Sequence, residues 1–492
     1  TFSLDANTTA SNNTGLGYGA LGANTTGTGN TAVGATALDS NTTANNNTAV
    51  GYTSLTGNTT GHSNTALGYK TLQLNTTGIQ NVAVGNLTLD QNTTGLNNAA
   101  VGFNALARNT TGNFNVAIGV NALLSITGNS SCTAVGSLAL ENNTMGLNTA
   151  IGHKALRANT TAAFNTGVGD QALMANTTGQ KNTAVGGYSL DSCTTGSFNT
   201  ALGLQALTAA TTASNNTAVG QYSGALVTTG GGNTSVGQAS LSSTTTGYNN
   251  VAIGQYALRV NDDGHSNTAV GYKALDGNTS AAGNTAVGKE ALLSNTTGSA
   301  NTALGTGAGY NITTSSENTA IGSASLNQST TGPQNTAIGR LCMYHNTTGG
   351  YNVALGRSAA EKGTTQVYTT AIGYQAALDN TTGNNNTSIG AFALQNNETG
   401  DGNTALGISA GDNITSGSNN TLIGAGVDAS SATVSNEITL GNSSVATLRC
   451  NVQTISSLSD ARDKTNVIDL PEGLDFVTKL RPVKFEWATR DG

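Results

Sequence analysis

The sequence predicts an all-β protein, a repetitive β-solenoid or β-roll of about 25 seventeen-residue coils. Three observations carry that reading. A 17-residue unit recurs from Asn13 to Asn420, with 25 placeable starts. Its fifth position is Gly in every copy, from Gly17, Gly34, Gly51 and Gly68 to Gly424. Its fourth position is Val, Ile or Leu in every copy. A fixed period marks a stacked array, in which each unit closes its core only against its neighbours. One step departs from the period, the 16-residue interval from Cys132 to Asn148.

A clean copy spans residues 284–300, N-T-A-V-G-K-E-A-L-L-S-N-T-T-G-S-A. It is too short for a helix pair and lacks a 3.6-residue period. Short runs of Thr, Val, Ile and Asn bounded by Gly favour strands and turns. Two strands per unit are predicted, T-A-V-G and the segment around A-L, with N-T-T-G as the turn. Stacked in register, each unit advances about 4.8 Å, so the array makes a rod on the order of 115 Å long. The invariant Gly implies positive φ or close approach of another backbone. Asn at the first and twelfth positions (Asn284, Asn295) can form amide ladders along the rod. Leu fills the ninth position in 18 of 25 units, so Val287 and Leu292 are the expected interior pair. Successive strand residues face opposite sides, so Ala286 points away from Val287. The near-constant Ala therefore reads as a second buried face, and a homotrimer is expected.

Composition sets further bounds. Only 9 % of residues are charged and 4 % aromatic, and the net charge of −7 argues against a nucleic-acid surface. No signal peptide or membrane-spanning apolar run is evident, so no membrane insertion is expected. Residues 459–492 hold 13 of the chain's charged residues, two of its three prolines and its one tryptophan, Trp487. The predicted domains are a repeat shaft over 1–435, a β connector over 436–458 in which the strict period lapses, and a distinct segment over 459–492. Beginning at Thr1 in mid-coil, the chain reads as a fragment or a processed product.

The A-[VIL]-G strand with Asn, Thr and Gly turns resembles the β-roll heads of trimeric autotransporter adhesins, and similar repeats occur in phage fibres and spikes. The stretch Ser459-Asp460-Ala461-Arg462-Asp463-Lys464-Thr465-Asn466-Val467, followed by Leu480-Arg481-Pro482-Val483-Lys484-Phe485-Glu486-Trp487, resembles the start of the self-cleaving intramolecular chaperone of endosialidase-type phage tail spikes and fibres. That family carries S-D-x-R-x-K-x-N-[IV] and then L-x-P-V-x-F-x-W. The resemblance implies a C-terminal α+β module, here truncated at Gly492, that helps three chains register and then cuts itself off. Carried over, Ser459 is the nucleophile and Lys464 the general base, with Asp460, Arg462 and Asn466 as supporting motif residues. A Ser hydroxyl needs a base to take its proton, and Lys serves only where burial or nearby charge depresses its pKa. The implied protein is a non-enzymatic fibre shaft on a virion or extracellular surface, meeting a host glycan or receptor. The alternatives are a cell-surface trimeric adhesin or filament, and a glycan-degrading tailspike.

Other candidates weigh less. The N-T-T triplets at Asn24, Asn41, Asn58 and Asn75 match glycosylation acceptors, but their spacing favours turn chemistry and Asn ladders over a glycan on each. Cys132, Cys193, Cys342 and Cys450 read as small packed side chains rather than staples. The dispersed His62, His153, His265 and His345, and a turn at Asp262 and Asp263, imply no metal site. No cofactor is expected.

Overall fold

A computed structural model describes residues 2–449 and 451. The chain divides into two compact units, Thr1–Asn442 and Ser443–Gly492. The first is an all-β parallel solenoid, with no helix among its described residues. Its 26 strands, from β1 (Thr14–Leu16) through β17 (Thr285–Val287) and β18 (Thr302–Leu304) to β26 (Ile438–Leu440), are each three residues long. Each pairs in parallel with the next, position for position: Thr285 with Thr302, Ala286 with Ala303, Val287 with Leu304. At about 4.8 Å per step the strand column is roughly 120 Å long. The period continues past the predicted shaft end, because β26 pairs in register with β25 (Thr421–Ile423). The described residues of the second unit, 443–449 and 451, contain no strand or helix.

Glycine ends each strand, and both reasons anticipated for it hold. Gly288 has φ near +135°, and a Cβ there would lie 2.6 Å from the Gly305 carbonyl oxygen of the next coil. The A-L segment, however, is not a strand. It forms a turn in which the seventh and ninth residues adopt left-handed φ, as in Glu290 (57°) and Leu292 (51°). A left-handed L-residue costs roughly 1–2 kcal/mol. Full burial of the Leu292 side chain contributes about 1.5–3 kcal/mol, which offsets the cost at that residue. Cross-coil hydrogen bonding continues through this turn, with the Leu292 amide donating to the Ala308 carbonyl at 3.0 Å.

The interior also differs from expectation. Ala286, Ala291 and Leu292 are fully buried, whereas Val287 is only half-buried. The two faces alternate as expected but are inverted: the third residue points in, and the second and fourth point out. A single chain's coil is thin, so it takes one large and two small side chains per turn. Gly replaces the ninth-position Leu at Gly224, Gly309 and Gly411, and the twelfth residue is then Val227, Ile312 or Ile414. The volume moves across the coil; a Cβ on Gly309 would sit 3.0 Å from Ile312 Cδ1.

Asparagine supplies the polar half of the core. Within coil 284–300, Asn284 Nδ2 and Asn295 Nδ2 both donate to the Gly298 carbonyl at 2.9 Å. Between coils, Asn295 Nδ2 donates to Asn278 Oδ1 at 3.1 Å, and the Asn301 amide donates to Asn284 Oδ1 at 2.8 Å. Buried amides are tolerated because these groups are mutually satisfied. Where Ile312 or Ile414 interrupts the ladder, Asn295 Oδ1 and Asn397 Oδ1 lack a partner. The aliphatic substitution thus fills the core at the cost of an orphaned acceptor.

Candidate functional site

The outward face of the sheet is a continuous surface along the described coils. Each strand presents its second and fourth residues there. The fourth position forms an aliphatic column through every coil, and its exposed members include Leu67, Leu202, Leu304 (47 % exposed) and Leu406. Sequence shows the column but points it inward, because Val makes a better core residue than Ala. The near-invariance of a small residue at the third position, with Leu422 the one large exception, is the signal that this position faces the narrow interior.

The N-T-T asparagines are not acceptor sites in the folded shaft. Asn24, Asn41, Asn58 and Asn75 are fully buried, and the Asn75 side chain donates to Asn58 Oδ1 at 2.8 Å. Cys132, Cys193 and Cys342 are buried free thiols standing at interior Asn, Asn and Ala positions. Burial pushes the Cys193 thiol up to about 11 and the Cys342 thiol up to about 12. Thiolate is the reactive form, so these groups stay protonated and inert at neutral pH. Alkylation with iodoacetamide at pH 8 should therefore leave all three unmodified in the native protein, and label them in denaturant. Native labelling by mass spectrometry would contradict this interior.

Charged groups are sparse, and most of the ion pairs they form among the described residues join adjacent coils. His153 Nδ1 lies 3.0 Å from Asp170 Oδ1, and Arg259 Nε lies 2.8 Å from Asp276 Oδ1. One carboxylate pair is not evident in sequence because its members are 16 residues apart. Burial, and then the adjacent Asp428 carboxylate, push the Asp412 carboxyl above its ordinary range. Among the described residues, no three His, Cys, Asp or Glu side chains converge as a metal site. No helix among them is long and apolar enough to cross a membrane.

The residues predicted for self-cleavage, Ser459, Asp460, Arg462, Lys464 and Asn466, lie outside the described residues, as does Cys450. They are where comparison with known families is informative. Residues 459–492 match the family described as chaperone of endosialidase. That family's domain is in general self-cleaving and is found in phage tail proteins. In chain order, then, an endosialidase-chaperone segment follows a solenoid of about 25 turns. No curated protein matches the chain.

Proposed function

We propose that this chain is the shaft of a homotrimeric fibre from a phage-like particle, supporting host attachment and matured by release of its C-terminal chaperone. The observation that carries the reading is the pairing of an unpartnered aliphatic column along the solenoid with an endosialidase-chaperone match at its end. The two features need each other. Because the coils are near-identical, two shafts can slide by one coil, about 4.8 Å, and lose only one coil's contact. Such an array specifies its register weakly, and a folding module at one end removes the degeneracy. Once the shaft has zipped, the module is dispensable. In this reading Lys464 takes the Ser459 hydroxyl proton and the oxygen attacks the carbonyl of the scissile peptide bond, at or beside Ser459; an ester forms as the C–N bond breaks, the proton passes to the leaving amine, and water hydrolyses the ester. Burial on assembly would depress the Lys464 pKa and tie the cut to correct folding.

The test is expression from the full-length gene, wild type beside Ser459→Ala, read by intact mass and by light scattering. The expected result is a cut trimer for wild type and an uncut chain for the variant. An uncut wild-type chain would remove the self-cleavage claim, and a cut monomer would remove the trimer.

A further inference from the structure

The 16-residue coil, residues 132–147, is where the shaft departs from its own rules. In a regular coil the twelfth-position Asn donates to a carbonyl three residues on, as Asn159 does to Ala162 at 2.9 Å. In the short coil Asn143 reaches Met145, two residues on, at 2.6 Å. One turn residue is therefore missing from the ridge. Elsewhere the last residue of a coil donates to the sixteenth residue of the coil before, as Lys181 does to Ala163; in the short coil the sixteenth residue is also the last, and the Phe164 amide donates to this residue, Leu147. The missing residue leaves a cleft of about 400 Å³, lined among others by Asn129, Ser130, Ser131, Met145, Leu147 and Phe164.

Around this cleft the last position of the coil changes character. At that position the backbone is left-handed, and other coils mostly carry Gly, Asn, Ser or Gln, which suit or tolerate it or keep a polar side chain in water. Here it holds Phe114, Leu147, Phe164 and Phe198, with φ of 57° to 64°, interleaved with Ser131 and Lys181; the same position is aromatic again at Tyr351 and Tyr368. Unlike the interior Leu292, these side chains gain only partial burial in return: Phe164 is 55 % exposed and Phe198 54 %. Large apolar side chains that are both strained and exposed break two local rules at once, which is the mark of a functional position.

We propose that the cleft and its flanking rings bind a glycan chain lying along the shaft edge. The proposal deepens the host-attachment reading above and rests on it. Phe164 and Phe198 stand two coils apart, roughly 10 Å, and Phe114 lies three coils on the other side of Phe164, roughly 14 Å. The exposed rings of Phe114 and Phe164 can stack on pyranose rings, and Phe198, with Lys181 Nζ 5.0 Å from its ring centroid, sets an aromatic surface beside a cation, while Ser130, Ser131 and Asn129 in the cleft offer hydroxyl and amide partners to sugar hydroxyls. A second copy of this chain is a poorer occupant, because a shaft-to-shaft interface must run through every coil, and beyond Phe198 an aromatic residue returns to this position only at Tyr351 and Tyr368. A protein partner is poorer too. Three rings and one cleft fall short of the roughly 800 Å² per partner that a stable protein interface needs.

The test uses the mature fibre on an array of neutral and acidic bacterial surface oligosaccharides. Wild type is expected to retain at least one glycan, and Phe164→Ala and Phe198→Ala each to weaken it at least tenfold without lowering the melting temperature. A second variant inserts Thr after Thr144 to restore the 17-residue turn; it should fold at least as stably and lose the glycan. No binding to any glycan, or binding unchanged in all three variants, overturns the proposal. So does loss of binding accompanied by loss of stability in both Phe variants, since the rings would then be structural. A fibre that is cut and trimeric yet binds no glycan sinks this inference alone.

Discussion

Gly288→Ala is expected to destabilise the shaft by roughly 3 kcal/mol or more, a large effect for the addition of a single methyl group. Two causes add. The native φ of +135° is one that L-residues rarely adopt, and the new Cβ would meet the Gly305 carbonyl oxygen at 2.6 Å, a backbone atom that cannot swing aside. That oxygen belongs to the next coil, so the clash strikes the interface between repeats. In a quasi-one-dimensional array such a defect opens locally. Hydrogen exchange should show lost protection at Gly305, whose amide donates to the Val287 carbonyl at 2.8 Å. Coils far from the site should keep theirs. The structure also supplies a graded control. At Gly424 a Cβ would meet nothing nearer than Gly441 Cα at 3.1 Å. Gly424→Ala should therefore cost visibly less than Gly288→Ala, although φ is +138° there. The exposed Lys289→Ala should change stability by no more than about 0.5 kcal/mol. Equal losses at Gly288 and Gly424 would show that φ alone matters and that coil-to-coil contact does not.

Much of this is legible in sequence because the repeat makes each position report 25 times. Gly at the fifth position, Asn at the first and twelfth, and the in-register stack all follow from chemistry that permits few alternatives. The interior is harder to read, for an instructive reason. In a two-sided strand both Ala286 and Val287 qualify as buried, and hydrophobicity favours Val287. The deciding quantity is interior width, which depends on how the rest of the coil folds back. That in turn depends on Leu292 taking a left-handed conformation, which propensity argues against and burial overrides. The 16-residue step at Cys132 is plain in sequence, yet its consequence is not. Only the structure places Phe164 and Leu147 beside the missing residue, with Phe114 and Phe198 farther along the same ridge. The Ser459 and Lys464 motif is legible from residue order alone, since its spacing and the later L-R-P-V-K-F-E-W block are local in sequence.

In the proposed trimer, replacing Val287, Leu304 and Ile321 together with Glu should lower the dissociation temperature of the assembly by roughly 10 °C or more. These residues occupy the aliphatic column in three successive coils, and Leu304 is 47 % exposed on the single chain. Burying what remains of each such side chain contributes on the order of 1 kcal/mol. Repeated through the shaft, that exceeds the roughly 4–15 kcal/mol lost in bringing chains together. No single position is then decisive, which is why three adjacent substitutions are needed. Each Glu would bring a carboxylate into a dry interface beside its symmetry copies, and an unpaired buried charge costs several kcal/mol. If the column faces water instead, the same three changes are ordinary surface substitutions, and oligomer mass and melting will not move. Leu304→Cys in a Cys450→Ala background separates a registered assembly from a slipped one, because Cys132, Cys193 and Cys342 are buried and stay silent while the new thiol is exposed. Chains held in register should cross-link only residue 304 to residue 304. With a second cysteine at Val287, a chain slipped by one coil would instead join residue 304 to residue 287. A mixture of the two products in wild-type-length chains would mean that the end module does not set the register, and would remove the physical reason for an endosialidase-type chaperone segment at the end of this shaft.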